Sequence, residues 1–197
     1  MARTKKNQIK SCNLLYLGGG FMKSECGKQV MEYTGYKCHS QHFDYDNYYI
    51  ANKDITEYIL DNDTNIVIGE GLGGFFTMFV SNENTPDEYP LISRIIINPS
   101  IKPSEDLEEL EIPESVVNTY KTIEGYVYRQ KYLDIRHSLC IFSKDNPAIK
   151  YAENFTKKCG IKSIIIDHID DEFIFTNLQD FVNVLAAGKD IDLYLRK

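Results

Sequence analysis

The run Ile66-Val67-Ile68-Gly69-Glu70-Gly71-Leu72-Gly73-Gly74 constrains the fold more than any other stretch. Its apolar, β-branched start reads as a buried strand, and the apolar stretch Phe75–Val80 beyond it reads as a helix. A sharp turn must join the two. Glycine on both sides of Gly71 lets strand and helix approach closely, and it thrusts the middle residue outward at the end of the strand.

The same rhythm recurs along the chain. Asn13-Leu14-Leu15-Tyr16-Leu17 reads as a strand halted by Gly18-Gly19-Gly20, with a helix expected over Glu25–Tyr33. Further strands are expected at Tyr36–Ser40, Asn65–Gly69, Leu91–Ile97, Ser138–Ser143 and Lys162–Ile166. Helices are expected near Asp54–Leu60, over Pro147–Lys158, and over Asn177–Ala187 with Thr176 as its cap. Alternation of this kind implies an α/β chain: one mainly parallel sheet of about six strands, with helices on both faces. Residues 1–12 read as a flexible basic arm and 13–197 as the domain. The interval 100–134 breaks the rhythm. It opens acidic (Glu105, Asp106, Glu108, Glu109, Glu111, Glu114) and reads as an insertion or lid over the carboxyl ends of the strands, where ligands bind in open α/β sheets.

Bulk properties narrow the function. The 197 residues suit one domain, and a net charge of -7 argues against general nucleic-acid binding, which needs a basic surface. No apolar run has the length of a membrane span, and no signal core follows the basic start. Five scattered cysteines do not resemble a disulfide framework, so a reducing cytoplasm is the expected compartment. No cofactor is expected.

At the turn, a serine in place of Gly71 would complete the G-x-S-x-G nucleophile elbow of acyl-transfer enzymes. Glycine has no side chain to attack with. Two other readings stand beside this degenerate elbow: a phosphate-binding turn and simple tight packing. The absence of a Lys-Ser/Thr ending and the presence of Glu70 weigh against phosphate.

Taken in order, the motifs resemble the YqiA-like esterases, small α/β-hydrolases. Leu15-Tyr16-Leu17-Gly18-Gly19-Gly20-Phe21 matches the family's opening Leu-His-Gly-Phe stretch, and Gly69-Glu70-Gly71-Leu72-Gly73-Gly74-Phe75-Phe76 its elbow. Ile97-Asn98-Pro99-Ser100-Ile101-Lys102-Pro103 matches its Asn-Pro segment. The resemblance implies a single α/β-hydrolase-like domain. It aligns Asp145 with the catalytic acid and His168 with the histidine, with Glu172 as an alternative for the latter. It places an oxyanion or binding site at Leu72, Gly18, Gly19 and Phe21. Gly71 takes the nucleophile's place, and Gly18 that of the first-motif histidine. Two losses around one pocket point to natural drift, for which a phage or other mobile element is a natural home.

The expected function is therefore a pseudo-esterase that keeps the scaffold to bind a protein or small ligand. The alternative is an active esterase or thioesterase with an atypical nucleophile, or with water activated by His168 and Asp145. Each remnant also has a plain reading: His168 as a leftover hydrogen-bonded side chain, Asp145 as a helix cap before Pro147. Cys38, His39 and His42 lie close together but lack the further ligands a structural metal needs, so no metal is expected. Cys140 reads as inert core. Tyr45, Tyr48 and Tyr49, with Phe43, fit either a protein interface or loop packing, and an oligomer is compatible with the sequence.

Overall fold

Asn13–Leu17 (β1), Lys37–Ser40 (β2), Ile66–Glu70 (β3), Ser93–Ile97 (β4), Ser138–Ser143 (β5) and Lys162–Ile166 (β6) form one sheet in the computed structural model. The model describes residues 12–19, 35–41, 43–80, 92–129, 136–170, 173 and 177–196. Strand order is β2-β1-β3-β4-β5-β6, and every pairing is parallel. The chain runs from β1 outward to β2 and then returns to the other side of β1 with β3. The carboxyl ends of β1 and β3 therefore flank a topological switch point.

Side-chain alternation explains why the sheet needs two covers. Leu15, Leu17, Val67, Ile96, Cys140 and Phe142 belong to one buried cluster. Leu14, Tyr16, Ile66, Ile68, Ile95 and Ile141 belong to the other. The first is covered by Tyr48–Asp61 (α1), Leu72–Phe79 (α2), Pro103–Glu109 (α3), Glu114–Lys121 (α4) and Ala152–Cys159 (α5). The second is covered by Gln179–Ala186 (α6) and Ile191–Leu195 (α7), joined by Phe173. Strands buried on both faces read as continuous apolar runs, which is why they were legible in the sequence.

Three expectations need correction. The helix expected from Asp54 begins six residues earlier, at Tyr48, because the Asn47 side chain accepts the Tyr49 and Ile50 amides and caps it. The expected helix over Pro147–Lys158 is two pieces, a 3-10 turn over Pro147–Tyr151 and then α5. Its cap is Asn146, which accepts the Ala148 amide, and not Asp145. Helix α7 was not expected at all; the Asp190 carboxylate caps it through the Asp192 and Leu193 amides. The arm, the helix expected over Glu25–Tyr33, Phe21, Cys26, His42, Glu172 and the Thr176 cap lie outside the described residues.

The aromatic segment resolves mostly as packing. Phe43, Tyr45 and Tyr48 are buried, and the Tyr45 and Tyr48 rings stack on Phe76 at centroid distances of 4.8 and 5.5 Å. Tyr49 remains exposed. The Tyr120 hydroxyl donates to the Tyr45 carbonyl and ties α4 to this segment.

Candidate active-site cleft

Gly71 sits at the turn between β3 and α2, at the carboxyl edge of the sheet, with φ 54° and ψ -120°. Side chains other than glycine seldom adopt this conformation. Its N–H donates to the Ile97 carbonyl at 3.1 Å, and its carbonyl accepts the Ser100 amide at 2.9 Å. The turn is therefore fixed to the end of β4. A Cβ built on Gly71 would have Gly19 Cα as its nearest neighbour, at 3.4 Å. A side chain would fit there; the backbone angle is the obstacle.

The flanking glycines are different. A Cβ on Gly69 would lie 2.1 Å from Thr77 Oγ1, and one on Gly73 would lie 2.2 Å from the Leu17 carbonyl oxygen. Strand and helix touch backbone to backbone at both places. The Gly73 N–H donates to the Gly18 carbonyl at 3.1 Å, which pins the first turn of α2 to the end of β1.

Around Gly71 lies a cleft of about 340 Å³. Gly19, Leu72, Asn98, Pro99 and Ser100 form its sheet side. Helix α3 and the residue after it supply Asp106, Leu107, Glu109 and Leu110, and the 3-10 turn with its cap supplies Asn146, Pro147, Ala148, Lys150 and Tyr151. Part of the 100–134 interval thus lines the cleft. Leu72 opens α2, where an amide has no carbonyl partner within the helix, so a backbone donor stands beside the elbow whatever side chain occupies residue 71.

Two polar networks shape the cleft. Buried Asn98 and Ser143 exchange two hydrogen bonds, of 2.9 and 2.8 Å, which hold the ends of β4 and β5 together. Ser100 donates its hydroxyl to Asp106. Burial pushes the Asp106 carboxyl above its ordinary range, and neither the Ser100 bond nor the pull of Lys150 offsets it. At the rim, the Tyr151 hydroxyl donates to Glu105 at 3.1 Å, and Lys102 also bonds Glu105.

The expected acid and histidine are not hydrogen-bonded to each other. His168 is exposed, and its Nε2 lies 2.9 Å from Asp170 Oδ2. Asp145 is exposed in the turn after β5. Among the described residues no hydrogen bond joins the two, and neither lines the cleft. Asn146, one position on, does line it. Sequence reasoning missed Ser100, Asp106 and Asn146 in this role; Ser100 lay inside the quoted Asn98-Pro99 segment, but Asp106 was one carboxylate in an acidic run.

The remaining candidates take structural places. Burial raises the thiols of Cys38 and Cys140, and the four described cysteines are free. His39 Nδ1 lies 3.0 Å from the Tyr58 hydroxyl. Among the described residues no group of three metal-binding side chains occurs, and no helix is long and apolar enough to cross a membrane.

The fold has many counterparts among solved structures. A hormone-sensitive lipase from a metagenome library is 14% identical, with a TM-score of 0.56, over 90% of this chain and 75% of its own. The fold is that of the α/β-hydrolases. An extracellular α/β-hydrolase from a Paenibacillus species is 11% identical, with a TM-score of 0.55, over 90% of this chain and 99% of its own. An α/β-hydrolase from Vibrio vulnificus is 12% identical at a TM-score of 0.55, over 89% of this chain and 73% of its own. No family model matches the chain, and no curated protein matches it.

Proposed function

We propose that this α/β-hydrolase fold serves as a binding scaffold and not as an esterase. The observation that carries the reading is Gly71. It occupies the elbow with the backbone angles that would present a nucleophile to the cleft, and it has nothing to present. The pairing of His168 with Asp170 in place of Asp145 supports the same reading, since an exposed histidine held there has no nucleophile to activate. The order of the elbow, Asn98-Pro99 and Lys102-Pro103 favours descent from a YqiA-like esterase. Free cysteines, with Cys38 and Cys140 raised by burial, favour a reducing compartment such as the cytoplasm.

Loss of the serine in a serine hydrolase lowers kcat on the order of a millionfold. The chain is therefore expected to show no turnover of short-chain p-nitrophenyl esters or acyl thioesters, and no labelling by a fluorophosphonate. Turnover abolished by His168→Ala would overturn the reading and return catalysis to the expected histidine. Turnover abolished by Ser100→Ala would overturn it too, and would move the nucleophile to the Ser100–Asp106 pair.

A further inference from the structure

Among the described charged residues that line the cleft, Asp106 is the most buried. Among the lining residues, Leu72, Leu107, Leu110, Pro147 and Ala148 offer apolar surface, and a volume of about 340 Å³ suits a small organic molecule. Ser100, itself buried, donates to one oxygen of the Asp106 carboxylate and fixes its orientation. The charges around it do not balance. Among the described residues, two carboxylates, Asp106 and Glu109, line the cleft against one ammonium, Lys150. That ammonium sits 4.9 Å from the centre of the Tyr151 ring, toward the rim where Glu105 also attracts it. Burial consequently outweighs every interaction that favours the Asp106 anion. A half-buried carboxylate in this condition is stabilised by a positive group brought in from outside, and a neutral donor does less because it leaves the charge uncompensated.

We infer that the cleft beside Gly71 binds a small organic cation, an ammonium on an apolar body, with the Asp106 carboxylate as its counter-charge. The inference rests on the binding-scaffold reading and adds the ligand's chemical class. The ammonium meets Asp106, held by Ser100. The apolar body lies along Leu107, Leu110 and Pro147 toward the vacant side-chain space of Gly71.

Three probes of like shape test it: 2-phenylethylamine, 2-phenylethanol and 3-phenylpropanoate. Each is titrated into the intact chain near neutral pH by calorimetry, with the Gly71 and Leu72 amide resonances followed in parallel. The amine is expected to bind about tenfold or more tightly than the alcohol, and the carboxylate more weakly than either. Asp106→Asn is expected to erase the amine's advantage over the alcohol, and continued binding of the alcohol reports that the variant's cleft is intact. If the alcohol or carboxylate binds as well as the amine, the cation inference fails while the scaffold reading stands. An amine preference that survives Asp106→Asn, or that leaves Gly71 and Leu72 unmoved, places the cation elsewhere and overturns the inference. If none of the three binds, the inference fails and the scaffold reading loses its small-ligand form, leaving a protein partner.

Discussion

Gly71 combines room for a side chain with a backbone that resists one. Gly71→Ala should therefore cost about 1–3 kcal/mol, the strain of holding a non-glycine residue in a sparsely populated region. Gly73→Ala should cost more than about 4 kcal/mol, because its Cβ would overlap the Leu17 carbonyl and force β1 from α2. Chemical denaturation of the two variants checks the order; equal losses would show that the turn is not built as described. Asp106 gives a pH-dependent contrast. Burial raises its folded pKa above the ordinary 3.8, so the folded chain holds the proton more tightly than the unfolded chain. Its ionisation therefore lowers stability, fully so above the raised value and not at all below about 3.8. Asp106→Asn should raise the Tm at neutral pH, and the gain should disappear as pH falls through that window. Melting curves across acidic to neutral pH would reveal it.

Among the elements, α2 depends on a residue outside it. Arg94, on β4, is buried, and its guanidinium donates to the Thr77, Ile92 and Val80 carbonyls at 3.1, 2.9 and 3.0 Å. Two of these acceptors lie at the carboxyl end of α2, where carbonyls lack helical partners and a positive charge is favoured. Arg94→Met keeps much of the volume but strands the acceptors. It should cost on the order of 3 kcal/mol in unfolding free energy. A loss below a few tenths would mean water reaches those carbonyls. Element by element, strands were more legible than helix ends. The inner strands β1, β3, β4 and β5 are legible because an apolar run buried on both faces is visible in one dimension; the edge strands β2 and β6 are less buried. The start of α1 is missed because Tyr48 reads as loop-like beside Asp44 and Asp46; the Asn47 cap starts the helix there, and stacking on Phe76 holds Tyr48 in place.

At the scale of the whole molecule, β1, β3, β4 and β5 each have a strand on both sides, whereas β2 and β6 stand at the edges among the described residues. Ile165 on β6 is 54% exposed, and residues of β3 and β4 are almost wholly buried. Amide hydrogen exchange should follow this gradient: slowest in β3 and β4, fastest among the strands in β2 and β6. Uniform protection across the sheet would show that the edges are covered in solution. The sequence by itself determined the alternation of strands and helices, the parallel sheet and the glycine turn. Those properties are local: periodicity, β-branching and glycine at fixed offsets state them within a few residues. Only the tertiary structure decided which side chains share the cleft. Ser100 and Asp106 meet because Pro103 opens a helix that carries Asp106 back over the end of β4. Asp145 and His168, matched by motif order, end on exposed turns after β5 and β6 and share no hydrogen bond. Motif order fixes sequence position, but a site requires convergence, and convergence depends on where each turn aims its side chain.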